Sequence, residues 1–140
     1  NVVWLLGEIR EPVEQIAPLL IRAFADSDQN VRTNALLSII SIGKSAVPFL
    51  IDVFESPNAD VRQQAAFALG EIGQPINFII PALIDNLDDK EWNVRRVSVR
   101  ALLNIGQPAV PQLIEALNRG NRETQRTARI ALDQMAHRKR

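Results

Sequence analysis

The sequence predicts an all-α solenoid, a stack of helical hairpins. Three observations carry this: a segment that returns four times without a gap, apolar spacing of helical period within it, and a glycine that closes three of its copies. The copies are NVRTNALLSIISIG from Asn30, DVRQQAAFALGEIG from Asp60, NVRRVSVRALLNIG from Asn93 and ETQRTARIALDQMA from Glu123. Their second residues, Val31, Val61, Val94 and Thr124, lie 30, 33 and 30 residues apart. Upstream of each stands a proline-led apolar run: PLLIRAF from Pro18, PFLIDVF from Pro48, PALIDNL from Pro81 and PQLIEAL from Pro111. Each proline falls 13 residues before the matching Val or Thr. A fixed period of this size marks stacked units, each too small to bury its own apolar face.

In chain order, residues 1–10 read as a second helix without its partner, because Asn1 corresponds to Gln64 and Trp4 to Phe67 at a distance of 63 residues. Whole repeats follow at 11–43, 44–73, 74–106 and 107–136, then a basic tail at 137–140. The chain thus reads as one repeat domain cut from a longer array, with an apolar flank at Val2, Val3 and Leu6. Within each second element apolar residues fall at i, i+4, i+8 and i+11, as at Val61, Ala65, Leu69 and Ile72, the spacing of one helical face. Asn30, Asp60 and Asn93 are candidate N-caps, and Gly43, Gly73 and Gly106 stand where a helix stops. In the first element of the second repeat, Ser45 is the candidate cap and Pro48 falls in the first turn, where a missing N–H costs nothing.

The connections EPVEQIAP and QPINFIIP carry two prolines six residues apart, Pro12 with Pro18 and Pro75 with Pro81. A proline inside a helix costs about 3 kcal/mol. The expectation is therefore a short irregular or 3₁₀ turn, with regular helix starting near Ile16 and Ile79. These longer connections alternate with shorter ones, so the unit of duplication is two repeats. ALGEIGQP, from Ala68, contains a G-x-x-G that resembles a phosphate loop, yet it follows a helix instead of a strand. Gly73 reads as a helix stop and Gly70, which recurs only as Gly7, as a packing position.

Composition excludes several classes of function. The chain has 140 residues, 46% of them apolar, and its 16 Lys and Arg balance 16 Asp and Glu. No global field favours nucleic acid or an anionic membrane. Arg119 to Arg140 holds seven basic residues against two acids, which leaves nine against fourteen before it. With no cysteine there is no disulfide, thiol nucleophile or thiolate zinc site. Apolar runs stop at about six residues, short of the ~20 that span a bilayer, and no leader is evident. A soluble, cytoplasmic protein is the expectation.

The only histidine, His137, lies in MAHRKR at the end of the chain and builds no catalytic or metal-binding set. The acid pairs Asp26/Asp28 and Asp88/Asp89 lie in turns, where carboxylates complement helix N-termini. The expectation is a chain that is no enzyme and takes neither cofactor nor metal. Arg32, Arg62 and Arg95 form a column, one per repeat, that Gln125 interrupts in the last copy. Surface positions that vary between copies are the better candidates for recognition. One column runs Thr33, Gln63, Arg96, Arg126 and another Trp4, Leu37, Phe67, Arg100, Ile130, both turning basic toward the C-terminus; a third runs Glu8, Ser41, Glu71, Asn104, Gln134. Trp92, in a turn between helices, is either a lid over the local core or an exposed anchor, and Trp and Arg are frequent interface hot spots. The candidate partner-binding set is Gln63, Phe67, Trp92, Arg96 and Arg100.

The sequence resembles the HEAT repeats, specifically the short HEAT-like repeats of the phycobilisome lyase type, over nearly its whole length. The residues that carry the resemblance are Val31-Arg32, Val61-Arg62 and Val94-Arg95, Ala35 and Ala65, ALGEIG ending at Gly73, and AVPFLI and AVPQLI from Ala46 and Ala109. It implies an armadillo-like, right-handed α–α superhelix of helical hairpins, with the second helices lining a concave face and the column of Arg32, Arg62 and Arg95 forming a structural ladder with acids or carbonyls of neighbouring turns. It also implies a scaffold that binds a protein or peptide on that face; the alternative is part of a phycobilin lyase or related chromophore-handling chaperone. HEAT-like DNA glycosylases supply a third possibility, against which the net acidic body of the chain counts.

Overall fold

The computed structural model describes residues 12–138, and the regular structure among them is helical. The elements are α1 (Val13–Ala23), α2 (Gln29–Ile42), α3 (Val47–Asp52), α4 (Ala59–Ile72), α5 (Ile76–Asp85), α6 (Trp92–Ile105), α7 (Val110–Arg119) and α8 (Arg122–Arg138). Four 3₁₀ turns extend them: Gly43–Ala46 and Gln107–Ala109 lead into α3 and α7, while Val53–Glu55 and Asn86–Asp88 continue α3 and α5. Each odd helix packs against the even helix that follows it. Odd helices also pack in series with odd, and even with even, so the chain is a two-layered all-α solenoid. The readings of residues 1–10, including the partial repeat, Trp4 and Gly7, lie outside the described residues.

The core lies between the layers. Phe24, Leu50, Ile79, Leu83 and Leu113 from the first helices or their ends, and Ile39, Leu69, Val94 and Leu102 from the second, are fully buried. Burying one such side chain contributes about 1.5–3 kcal/mol. The seventh residue of every even helix is small and buried: Ala35, Ala65, Ser98 and Ala128. Small side chains here let adjacent second helices approach closely. At Gly70 of α4 the approach leaves no room for a side chain, since a Cβ there would lie 2.6 Å from the Ala101 Cβ of α6.

The helix ends differ in part from the sequence expectation. Gly43, Gly73 and Gly106 do end α2, α4 and α6, with φ of 77°, 69° and 84°, a region only glycine enters cheaply. The caps, however, stand two residues before Asn30, Asp60 and Asn93. Asp28 accepts from the Asn30 N–H at 2.8 Å, and Asn58 from the Asp60 N–H at 2.9 Å. α6 begins after Glu91, which makes no side-chain cap bond. At α2 and α4 two polar candidates adjoin the start, and the upstream one reaches the free first-turn donors. Ser45 caps nothing either, because it lies inside the 3₁₀ turn before α3.

The proline-rich connections also depart from expectation. α1 runs unbroken from Val13 with Pro18 inside it, and α5 from Ile76 with Pro81 inside it. Both prolines are exposed, so water reaches the carbonyls of Glu14 and Asn77 that lose their partners. On the opposite side Ala17, Ile79, Ile80 and Leu83 are buried, which offsets the cost. At the C-terminus, α8 continues through His137 and Arg138, so helix extends into the segment read as a tail. One helical run, Gln29–Glu55, is long and apolar enough by length and composition to cross a membrane. Gly43 turns the chain within it, and its two halves, α2 and α3, lie in different layers.

Candidate functional site

The arginine column sits at the fourth residue of α2, α4 and α6, where each side chain folds back across the turn of its own hairpin. Arg32 donates to the Asp26 carbonyl at 2.7 Å, Arg62 to that of Ser56 at 2.8 Å and Arg95 to that of Asp89 at 2.6 Å, each six residues back. Arg62 also donates to both carboxylate oxygens of Asp89, at 2.9 and 3.0 Å. Arg95 pairs with Glu123 of the next repeat at 3.2 Å. Each guanidinium therefore satisfies turn carbonyls, and two of them tie one repeat to the next.

A groove of about 840 Å³ lies between α6 and α8, the second helices of the last two repeats. Trp92, Arg96 and Arg100 follow one another a helical turn apart along one wall, and Arg126 and Ile130 stand on the other. Val99 and Leu103 add apolar surface between them. The Arg96 guanidinium lies 5.3 Å from the centre of the Trp92 ring, a cation–π stack that holds both planes. Arg138 donates to the Leu103 carbonyl at 3.3 Å and closes the far end. Among the described residues, Arg96, Arg100 and Arg126 make no hydrogen bond or ion pair, whereas Arg95 is engaged by Glu123. Free guanidiniums beside exposed apolar surface favour a ligand with carboxylates or other anions and an apolar body.

Of the residues singled out from sequence, Trp92, Arg96 and Arg100 come together in this groove. Trp92 opens α6 instead of sitting in a turn, and at 63% exposure it is no lid. Gln63 lines a separate polar recess with Asp26, Arg32 and Asn58. Phe67 is exposed on α4, outside the groove. Arg126 and Ile130 were legible as members of the same repeat columns as Arg96 and Arg100. Arg138 carried no such signal, because its role depends on α8 continuing past the repeat. His137 approaches the Asp133 carbonyl at 2.7 Å on the groove's edge. Elsewhere on the surface, burial first and then the neighbouring Asp88 raise the Asp85 carboxyl above its usual 3.8. Among the described residues no three His, Asp or Glu side chains converge as metal ligands.

Several solved structures are similar to this one. Human deoxyhypusine hydroxylase in complex with glycerol is 24% identical with a TM-score of 0.63, over 94% of this chain and 46% of that one. An engineered protein is 21% identical at a TM-score of 0.50, over 86% of this chain and 62% of its own. The complex of CpcE and CpcF of phycocyanin lyase from Nostoc is 26% identical at 0.52, over 96% of this chain and 58% of that one. This chain thus spans less than two thirds of each. No curated protein matches it by sequence.

These likenesses overturn the expectation that the chain is no enzyme, since a hydroxylase and a lyase share its fold. The expectation counted catalytic groups within 140 residues, a shorter span than either chain, and a repeat array can assemble a site from several segments. The family model for HEAT repeats matches residues 1–70 and 47–133. With its paired helices in two layers, the chain belongs to the HEAT-repeat family.

Proposed function

We propose that the chain is a helical-repeat scaffold that binds a protein or peptide segment on the face of its second helices, centred on the groove between α6 and α8. The observation that supports this most is the cluster of Arg96, Arg100 and Arg126, without partners among the described residues, around exposed Trp92 and Ile130. Arg32, Arg62 and Arg95 are engaged by turn carbonyls, and the last two also by acids of the next repeat, whereas these three make no hydrogen bond or ion pair among the described residues. A photoreactive residue in place of Arg100 or Phe67 is expected to cross-link a protein partner in cells. The same residue in place of Ile114, exposed on first helix α7, is not. Equal cross-linking at both faces would remove the assignment to the second helices.

A second reading rests on the likeness to the phycocyanin lyase complex, at 26% identity over 96% of this chain. A bilin is a flat, largely apolar tetrapyrrole bearing carboxylates, and the groove offers apolar walls with a guanidinium rim. Mixing the protein with a bilin is then expected to induce visible circular dichroism that Arg100→Ala and Arg126→Ala reduce. Absence of any induced signal would dismiss this reading.

A further inference from the structure

The second helices carry a stripe that runs across them. Leu37, Phe67, Arg100 and Ile130 are each the ninth residue of α2, α4, α6 and α8, and all four side chains are exposed. For the apolar members the exposure is large: 57% at Leu37, 40% at Phe67 and 44% at Ile130. One turn nearer the helix starts, a parallel row reads Thr33, Gln63, Arg96 and Arg126. Because these helices pack in series, both rows cross the array. Their chemistry changes halfway, from apolar and neutral over α2 and α4 to three guanidiniums with Ile130 over α6 and α8.

Neighbouring helix axes lie about 8–10 Å apart, so three steps from α2 to α8 span about 24–30 Å. An extended polyproline-II segment rises about 3.1 Å per residue with three residues per turn, which brings residues i and i+3 to one side about 9.3 Å apart. Its repeat matches the helix spacing. A helical ligand would advance only about 1.5 Å per residue and meet the steps out of phase with its own turns.

We infer that this stripe takes an extended, mixed apolar and acidic peptide segment, apolar side chains three residues apart lying over Leu37 and Phe67 and carboxylates over Arg96, Arg100 and Arg126. This rests on the scaffold reading above and names its ligand. Carboxylates are favoured because the guanidiniums have no internal counter-charge in the groove beyond Glu123, which Arg95 occupies, and Asp133. A phosphodiester backbone fits less well, since Leu37, Phe67, Thr33 and Gln63 would give it no cation over half its path.

The test is selection from a display library of random peptides about twelve residues long, long enough to cross all four helices, on the full chain. Peptides retained by the wild type are expected to be enriched in Asp and Glu, with apolar residues at i and i+3 on one side of the acids. Their affinity is expected to fall at least about tenfold in Arg96→Glu/Arg100→Glu/Arg126→Glu and in Leu37→Ser/Phe67→Ser. Circular dichroism verifies that both variants remain folded. Peptides without acidic enrichment, yet lost in these variants, would overturn the ligand class and leave the scaffold reading standing. Peptides indifferent to both variants, or no enrichment over bare support, would overturn both.

Discussion

The Arg62 guanidinium and the Asp89 carboxylate form a two-bond pair across repeats, Nε to Oδ2 at 2.9 Å and Nη2 to Oδ1 at 3.0 Å, with side chains only 5% and 8% exposed. Asp89 Oδ1 also accepts from the Glu91 N–H just before α6, so one carboxylate joins the start of one second helix to the start of the next. Removing either partner strands a buried charge, which costs about 3–5 kcal/mol. Urea unfolding of Arg62→Ala and Asp89→Ala is expected to show losses of about that size. Replacing both, as Arg62→Met/Asp89→Leu, is expected to cost less than the sum of the single changes. Strictly additive losses would mean that the two side chains act independently.

Gly70 permits the close approach of α4 to α6, with an added Cβ falling 2.6 Å from Ala101 Cβ and 2.8 Å from its Cα. Gly70→Ala is therefore expected to destabilise by about 1–3 kcal/mol despite the better helix propensity of alanine. Ala101→Gly in the same chain is expected to recover part of the loss. Thermal unfolding of the wild type and the two variants distinguishes a steric clash from a general intolerance of change.

Asp85 stands at the C-terminal end of α5, where a negative charge opposes the helix dipole, and its carboxyl titrates above 3.8 because of burial and Asp88. Its folded form holds the proton more tightly than the unfolded chain does. Between the unfolded and the folded pKa, stability therefore falls as pH rises, and the loss persists at neutral pH. Asp85→Asn is expected to raise the melting temperature slightly at pH 7. In acid, with the carboxyl protonated in both states, the gain is expected to disappear. The opposite pH order would assign the effect to another group.

Much of this architecture is legible in the residues themselves. Gly43, Gly73 and Gly106 close their helices because no other residue takes a positive φ cheaply, and the apolar spacing around Leu69 and Leu102 marks the buried face. Helix starts were displaced because Asp28 and Asn58 compete with Asn30 and Asp60 for the same first-turn donors. The helices run through Pro18 and Pro81, where a break is expected from sequence, because the cost of a proline depends on whether water reaches the freed carbonyl, which tertiary burial decides. In the groove, Trp92, Arg96 and Arg100 stand a turn apart on one helix, so sequence spacing groups them. Arg138 reaches Leu103 only because α8 and α6 pack side by side, a relation that no local spacing encodes.

Trp92 and Arg96 stack on the surface, so their loss is expected to leave folding nearly intact. Exposed cation–π pairs contribute about 0.5–1 kcal/mol. The melting temperature of Trp92→Ala/Arg96→Ala/Arg100→Ala is expected to fall by no more than a few degrees. A large fall would place these residues in the stabilising framework instead of the recognition surface.

Calorimetric titration of a peptide selected on the wild-type chain, into the wild type and into that triple variant, measures recognition at the groove most directly. Binding between α6 and α8 requires the variant to lose at least about tenfold in affinity, roughly 1.4 kcal/mol, while its helical content stays unchanged. Equal affinity for both proteins would contradict it.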